Sequence, residues 1–355
     1  MIDVGLVGFG LGGKAFHAPV IAAVNGLRLA AVLERHENTA AAIYPALQVV
    51  RNVEELLAIE SIRLVAISTP NDSHFAYAKA CLEADRDVVV DKPFATTLGE
   101  AQELAELAQC RGRLLTVYHE RRLDGDFATV KELIAEGELG RLVHFEETFD
   151  RCRPQVRDSW KEGVGPGCGV FWDLAPHLLD HALVLFGEPE ALLADIRVER
   201  GGGKNADAFD VTFYYPQGFR AVMSSNTLAP VPRPHFHLRG TKASFVKHGL
   251  DPQEALLRAG EPMGGDSWGV EKPEEWGTLT PADPRSGVAH KIESVRGDYR
   301  TFYENVRDVL LGKAKPLVTQ EEALAVMYGL ELGEESNAQR KVLRWRRPSA
   351  RIMQP

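Results

Sequence analysis

The first thirteen residues constrain the fold most: an apolar run, "VGLVGFG" from Val4, ends in glycines at Gly8, Gly10 and Gly13, spaced G-x-G-x-x-G, and a helical pattern follows at once. With that spacing the first glycine makes a tight turn, the second lets backbone approach a pyrophosphate, and the third lets helix pack on strand. The helix N-terminus beyond offers unbonded N–H groups to phosphates. An ordinary glycine-rich turn is the alternative, and position argues against it, since the next strand ends in an acid, Glu34, about 20 residues on. Gly8, Phe9, Gly10, Leu11 and Gly13 are therefore expected to contact a dinucleotide.

The same rhythm continues along the chain. Short apolar runs "LRLAAVLE" (27–34), "LVAIST" (64–69), "DVVVD" (87–91) and "LLTVY" (114–118) alternate with amphipathic stretches. Strands that are apolar throughout and separated by helical segments belong in a parallel sheet covered on both faces. Residues 1–120 should thus form a doubly wound α/β domain of Rossmann type. Asn71, Asp72 and Ser73 are good capping residues for the helix after "LVAISTP", whose N-terminus points to the carboxyl end of the sheet, where ligands bind in such folds. After Tyr118 the pattern changes. Helical segments near 126–137 and 171–186 bracket a strand at 142–149, and strands near 190–199, 208–216, 219–227, 234–239 and 242–247 follow with short turns between them. That order predicts an α+β domain over 121–355 with a large, mostly antiparallel open sheet. Residues 249–296 read as a long ordered loop, because Trp268 and Trp276 are costly to leave in water. Helices near 298–311 and 320–336 follow.

Composition excludes several function classes. At 355 residues the chain holds about two domains, large enough for a core without disulfides. Its 41 Lys+Arg stand against 50 Asp+Glu, and the net charge of −9 repels phosphate backbones, so nucleic acid is not expected as a partner. Cys81, Cys110, Cys152 and Cys168 spell neither a zinc ribbon nor a redox C-x-x-C, which suits a reduced, cytoplasmic protein. No apolar run approaches the ~20 residues of a membrane span. Met1-Ile2-Asp3 leads straight into a strand without the basic region of a signal peptide, so export is not expected either.

Several residues carry candidate chemistry. Glu34 could accept hydrogen bonds from a free ribose 2′-hydroxyl, which favours NAD, whereas Arg35 could clamp a 2′-phosphate, which favours NADP. An arginine at this turn has few other jobs, and NADP is preferred on that ground; a solvated strand end is the bland alternative. Lys92 projects where strand "DVVVD" ends, and Pro93 then turns the chain, a good position for meeting a ligand. Asp173 and His177 are four apart on a helix and share a face, with Pro176 suggesting a helix start or kink close to His177. A lone helical histidine is more often structural. His177 and His181 with Asp180 and Cys168 could be drawn as a zinc site, but H-E-x-x-H is not spelled and no metal is expected. His235 and His237 alternate on a strand and fit sheet-face packing.

Together the glycine motif, "STPNDSHF" (68–75), "DVVVDKPF" (87–94) and "GCGVFWDLAPHLLDHAL" (167–183) resemble the glucose–fructose oxidoreductase/inositol dehydrogenase (Gfo/Idh/MocA) family over nearly the whole chain. More narrowly, "YHERR" (118–122), "FDRCRPQVRDSW" (149–160), "VKHGLDPQEALLRAG" (246–260) and "DSWG" (266–269) resemble its branch of NADP-dependent scyllo-inositol dehydrogenases. The resemblance implies that Lys92, in Asp91-Lys92-Pro93 where the family usually has Glu-Lys-Pro, holds the substrate hydroxyl and touches the nicotinamide ribose. It implies that His177 is the general acid/base and that Asp173 orients the substrate, with alanine and proline at 175 and 176 departing from the family's D-x-G-x-H pattern. By the same resemblance Thr69, Pro70, Asn71 and His74 are cofactor contacts, although His74 could cap its own helix. His119, Arg153 and Trp160 are sugar-pocket candidates, a flat ring and charged donors suiting a polyol. Relatives pair through the open face of the second sheet, otherwise an apolar patch, which implies a homodimer or homotetramer. The expected activity is hydride transfer between NAD(P) and a cyclic polyol or sugar, scyllo-inositol first. Another sugar or keto-sugar reductase, or a dinucleotide-binding regulator without catalysis, are the alternatives.

Overall fold

The computed structural model describes residues 1–285 and 287–347. Among the described residues the strands form two sheets. The first contains β1 (Ile2–Val7), β2 (Leu27–Leu33), β3 (Gln48–Val50), β4 (Ile62–Ile67), β5 (Asp87–Asp91) and β6 (Leu115–Tyr118), in the order β3-β2-β1-β4-β5-β6. Every neighbouring pair is parallel, so this is the doubly wound topology with its switch point between β1 and β4. Val88, Val89 and Val90 are fully buried, as β-branched residues in a sheet covered on both faces should be. Burial of each contributes roughly 1.5–3 kcal/mol.

The second sheet takes β7 (Leu142–Thr148), β8 (Ala191–Arg197), β9 (Ala208–Tyr214), β10 (Arg220–Asn226), β11 (Phe236–Gly240), β12 (Ala243–Lys247), β13 (Gly277–Pro281), β14 (His290–Ile292) and β15 (Leu343–Arg344) in the order β14-β13-β12-β11-β7-β10-β9-β8-β15. Only β7 and β10 pair in parallel. Helices Gly169–Phe186 and Gln320–Gln339 belong to this unit, and the Trp172 indole N–H joins them by donating to Glu334 at 2.8 Å. The second helix is tied to β8, its Ser336 Oγ accepting from Ala194 N–H at 3.0 Å and its Asn337 Oδ1 from Ile196 N–H at 2.8 Å.

Residues cluster into two compact units that do not follow a single cut near 120. The first comprises Met1–Ala128, Asp251–Glu271 and Val295–Gln320, and the second takes Thr129–Leu250, Lys272–Ser294 and the chain from Glu321. The returning segments are bound to residues of the first sheet and of the helical run after β1. Phe302 packs edge-on against Tyr118, Tyr303 Oη lies 2.6 Å from His17 Nδ1, and the Thr116 hydroxyl donates to Val318 O at 2.8 Å. The described residues of 249–296 are not simply a loop. They contain the helix Gln253–Ala259 and strands β13 and β14, with Trp268 buried and Trp276 half-buried.

Other local expectations are corrected. The helix carrying Asp173 and His177 neither starts nor ends at Pro176; it runs unbroken from Gly169 to Phe186. The proline removes one N–H in the helix interior and the flanking turns carry the helix across it. The Ser73 hydroxyl does not cap the helix His74–Glu83; it turns back to Pro70 O at 2.7 Å. Nor is the open sheet face an apolar patch. Along β9, Phe209, Val211 and Phe213 are buried while the alternating Asp210, Thr212 and Tyr214 are half-exposed. Arg197 meets Asp195, Glu199 and Asp210 at 2.8–3.0 Å on that side. These residues were available in the sequence, but which alternate set faces outward follows only from the pairing register.

Candidate active site

In the first unit, the ends of β1, β4 and β5 converge. Gly8 has φ +95, and a Cβ there would lie 2.4 Å from Ser68 O; at Gly13 it would lie 2.1 Å from Gly8 O. Both glycines are required by the chain's own turn and its own helix-to-strand packing. Gly10 differs: its φ is ordinary and a Cβ would meet nothing within 4 Å. The open space over Gly10, at the start of the helical run from Leu11 to Ala23, is what a pyrophosphate would fill, so the residues present fit a dinucleotide. Phe9 is buried beneath the loop and Leu11 is exposed on it. Replacing Gly10 by alanine should leave thermal stability nearly unchanged while weakening NADP binding at least about tenfold, a loss of roughly 1.4 kcal/mol. Calorimetric titration beside a melting curve separates the two effects.

At the end of β2 the Glu34 carboxylate is already engaged. Its Oε1 accepts from the Thr39 hydroxyl and its Oε2 from Ala40 N–H at 2.9 Å, so it caps the short helix Thr39–Ile43. Arg35 beside it is exposed and has no hydrogen bond or ion pair among the described residues. Arg51, absent from the sequence reading, holds this turn by donating to Glu34 O at 2.8 Å and Asn38 Oδ1 at 2.6 Å.

Asp91 closes β5. Its Oδ2 accepts from the Ser68 hydroxyl at 3.0 Å and its Oδ1 from Lys92 N–H at 2.8 Å, while His17 Nε2 stands 3.6 Å away. Burial opposes its ionisation, but the hydrogen-bonding His17 and the Lys92 ammonium prevail and hold the carboxyl well below the usual range. Lys92 is half-exposed, and the Lys92–Pro93 peptide is cis. Thr69 and Pro70 are half-exposed at the end of β4, and Asn71 is buried behind them. His74 is fully buried, with Nδ1 2.8 Å from Pro93 O and Nε2 3.0 Å from Thr69 O. It does not cap its own helix; it clasps the turns after β4 and β5. Burial pushes its pKa down, so one N–H at a time serves two carbonyls.

Beyond β6 lie His119 and Glu120, both buried. Glu120 was not singled out from sequence, although "YHERR" contains it. Burial is the main cause raising its carboxyl pKa to about 7, with Asp91 adding and Arg121 and Lys92 opposing. The strings "YHERR", "LDPQE" and "DSWG" meet here. Arg121 is buried with Asp124 at 3.1 Å and with Glu254; Tyr299 Oη donates to Asp124 at 2.5 Å; Asp251 accepts from Gly125 and Gln253 N–H at 2.7 Å each; and Trp268 Nε1 donates to Gln253 at 3.2 Å.

In the second unit, Asp173 and His177 share a face of the helix Gly169–Phe186. Asp173 pairs with Lys161 at 2.6 Å and Arg151 at 3.3 Å, and Arg151 lies over the Phe149 ring. Trp160 is 42% exposed next to Lys161. Arg153 is half-buried, and its segment is clamped by Arg200, which donates to Arg153 O, Gln155 O, Glu162 and Asp207 at 2.6–3.3 Å. His177 is buried, and one turn on His181 is committed to Glu147 at 2.8 Å, both side chains out of solvent. His235 is buried with Nδ1 2.9 Å from Thr148 O, and His237 is half-buried.

Residues 2–119 match the family described as "Oxidoreductase family, NAD-binding Rossmann fold", and residues 127–246 match the "GFO/IDH/MocA C-terminal domain". The chain belongs to the Gfo/Idh/MocA family. Among Gfo/Idh/MocA proteins it is 43% identical over 342 residues to "Uncharacterized oxidoreductase YdgJ" of Escherichia coli, covering 96% of this chain and 98% of that one. It is 33% identical to the "scyllo-inositol 2-dehydrogenase (NADP(+)) IolW" of Bacillus subtilis, covering 96% of this chain and 95% of that one. The solved structure of the oxidoreductase yvaA from Bacillus subtilis superposes with a TM-score of 0.94 at 33% identity over 97% of this chain and 98% of that one. An oxidoreductase from Yersinia pestis gives 0.92 at 40% identity over 98% of both chains. The chain is accordingly an NAD(P)-dependent dehydrogenase of the Gfo/Idh/MocA family. Among the described residues no helix is long and apolar enough to cross a membrane.

Proposed function

We propose that the chain transfers a hydride between NADP and a secondary alcohol of a cyclic polyol or sugar, with scyllo-inositol the first substrate to test. The observation that carries the cofactor choice is Glu34, whose carboxylate caps its own helix while the Arg35 guanidinium stays open to solvent. An available guanidinium beside an engaged carboxylate suits a 2′-phosphate better than a free 2′-hydroxyl. Arg35→Ala should weaken NADP binding about 10- to 100-fold and leave NAD binding unchanged, since a charge-assisted contact contributes about 1.5–3 kcal/mol. Equal losses for both cofactors would overturn the assignment.

The substrate class rests on the similarity to the scyllo-inositol dehydrogenase and on the side chains each unit supplies. When bound, NADP supplies the hydride acceptor. His177 takes the proton that leaves the hydroxyl, because imidazole titrates near working pH. The Lys92 ammonium stabilises the developing alkoxide. Asp173, held by Arg151 and Lys161, accepts hydrogen bonds from neighbouring hydroxyls. We further propose Thr69, Pro70, Asn71 and Pro93 at the cofactor and His119, Arg153 and Trp160 at the sugar. The direct test is absorbance of reduced nicotinamide with NAD and NADP crossed against scyllo-inositol, myo-inositol, glucose and xylose. Turnover of scyllo-inositol with NADP is expected; tight NADP binding without turnover of any of the four overturns the substrate class. We also propose that copies associate through the charged open face of the nine-stranded sheet, for which a monomer mass by light scattering would be disproof. Cys81, Cys110, Cys152 and Cys168 are free thiols, which suits the reducing cytoplasm.

A further inference from the structure

The proposed chemistry makes no use of Glu120, the buried acid at the end of β6. Its place follows from strand register. β5 and β6 are parallel neighbours with Asp91 opposite Tyr118, so Asp91-Lys92-Pro93 and Tyr118-His119-Glu120 leave the sheet side by side. Glu120 opens a 3₁₀ turn, Glu120–Leu123, and is 7% exposed. Arg121, its neighbour on that turn, spends donors on Asp124 and Glu254. The charged and titratable groups coupled electrostatically to Glu120 are Asp91 and Lys92 after β5, Tyr118 on β6, Arg121 on its own turn, and Tyr299 at the start of the helix Arg300–Leu310. Asp91 is in turn flanked by His17 and His74.

In a doubly wound sheet a dinucleotide spans the two halves at the switch point. Glu34 and Arg35 at the end of β2 would mark the adenosine side, and the nicotinamide would then lie toward the ends of β4, β5 and β6. Oxidised nicotinamide carries a positive charge and the reduced ring carries none. Lys92 alone would repel the oxidised ring.

We infer that the carboxylate of Glu120 is the counter-charge to the oxidised nicotinamide beside Lys92, so that its protonation state sets the preference of this chain between NADP+ and NADPH. This rests on the reading of NADP as the cofactor. Below neutral pH Glu120 is protonated and the ring meets only the Lys92 charge. Above it Glu120 is ionised and the oxidised form gains a partner. Binding of NADP+ to the protonated chain therefore releases the Glu120 proton to solvent, and NADPH binding does not.

The test needs no sugar. Dissociation constants of NADP+ and NADPH are measured by titration calorimetry on the full chain from about pH 5.5 to 8.5, and their ratio is taken at each pH. The ratio cancels the cofactor's own 2′-phosphate titration, which is common to both forms. In the wild type the ratio should move about tenfold in favour of NADP+ across the midpoint near neutrality, one unit of linked pKa shift. Glu120→Gln should give a flat ratio, and Glu120→Asp should keep a pH dependence with a displaced midpoint. A flat ratio in the wild type, or an unchanged slope in Glu120→Gln, overturns the inference. Failure of both forms to bind the wild type at any pH overturns the cofactor reading and this inference with it, whereas binding with a flat ratio overturns this inference alone.

Discussion

Replacing His177 with asparagine is expected to lower kcat for scyllo-inositol oxidation by about 10²- to 10⁴-fold, the usual worth of a positioned general base, with NADP binding unchanged. Asparagine is close to histidine in size and can hydrogen-bond, but it cannot take up a proton at working pH. The helix that holds His177 is apolar around the substitution, with Leu174, Ala175, Leu178 and Leu179 buried, so its packing survives the exchange. The cofactor loop, Gly8 to Gly13, is built by β1 and the helix after it and does not depend on residue 177. Lys92→Met should likewise lose about 10²- to 10³-fold in kcat as one electrostatic donor is removed. Steady-state kinetics beside NADP titration give both readouts. A His177→Asn enzyme that keeps most of its turnover would remove histidine from the proton-transfer step and point to another base.

Arg121→Met should cost about 3–5 kcal/mol of stability, because removing one partner of a buried ion pair strands the other, and lower Tm by roughly 10 °C. Arg121 is buried between Asp124 and Glu254. Burial pushes the Asp124 carboxyl well up, with Asp251 and Asp126 adding, and Arg121 is the main group holding it down. Without that guanidinium the carboxyl rises further. The sign is definite: when an acid's pKa is higher in the folded state, folding binds a proton that the unfolded chain has given up, so stability falls as pH rises between the two values. The deficit should be larger at about pH 8 than at about pH 5. Denaturant titration at both pH values measures it, and a deficit that shrinks with rising pH would show that Asp124 is not the group left stranded.

The first sheet was the most legible part of the chain. "DVVVD" and "LLTVY" have mostly apolar interiors because both their faces are covered, and helical segments separate them, so one-dimensional pattern and three-dimensional position coincide. The short edge strand Gln48–Val50 and the C-terminal Leu343–Arg344 went unread, since so few residues carry no period. Residues 249–296 looked irregular because β13 and β14 are brief and interrupted by proline and glycine; their strand character comes from pairing with β12 and with each other. Of the proposed site residues, the glycines, Lys92, Asp173 and His177 could be picked out by residue type and spacing. Glu120 could not, because an acid in "YHERR" looks like any solvated charge until its burial is known. His74 and Glu34 had legible positions, but their roles were decided by partners: Pro93 O and Thr69 O for one, Thr39 and Ala40 for the other.

Residue order alone carried the dinucleotide loop, the doubly wound half, the mostly antiparallel second half and the family, because each is written in local spacing or in long shared strings. The tertiary structure decided what depends on residues far apart in the chain. It brought segments 251–271 and 295–320 back to the first unit, gathered Arg121, Asp124, Asp251, Glu254 and Tyr299 into one buried network, and engaged Glu34 with Thr39 and Ala40. The physical reason is that burial and electrostatic partnership are properties of neighbours in space. A carboxyl group has the same covalent chemistry at 34, 91 and 120, and only its surroundings make it a helix cap, a permanent anion or an acid that titrates near neutrality.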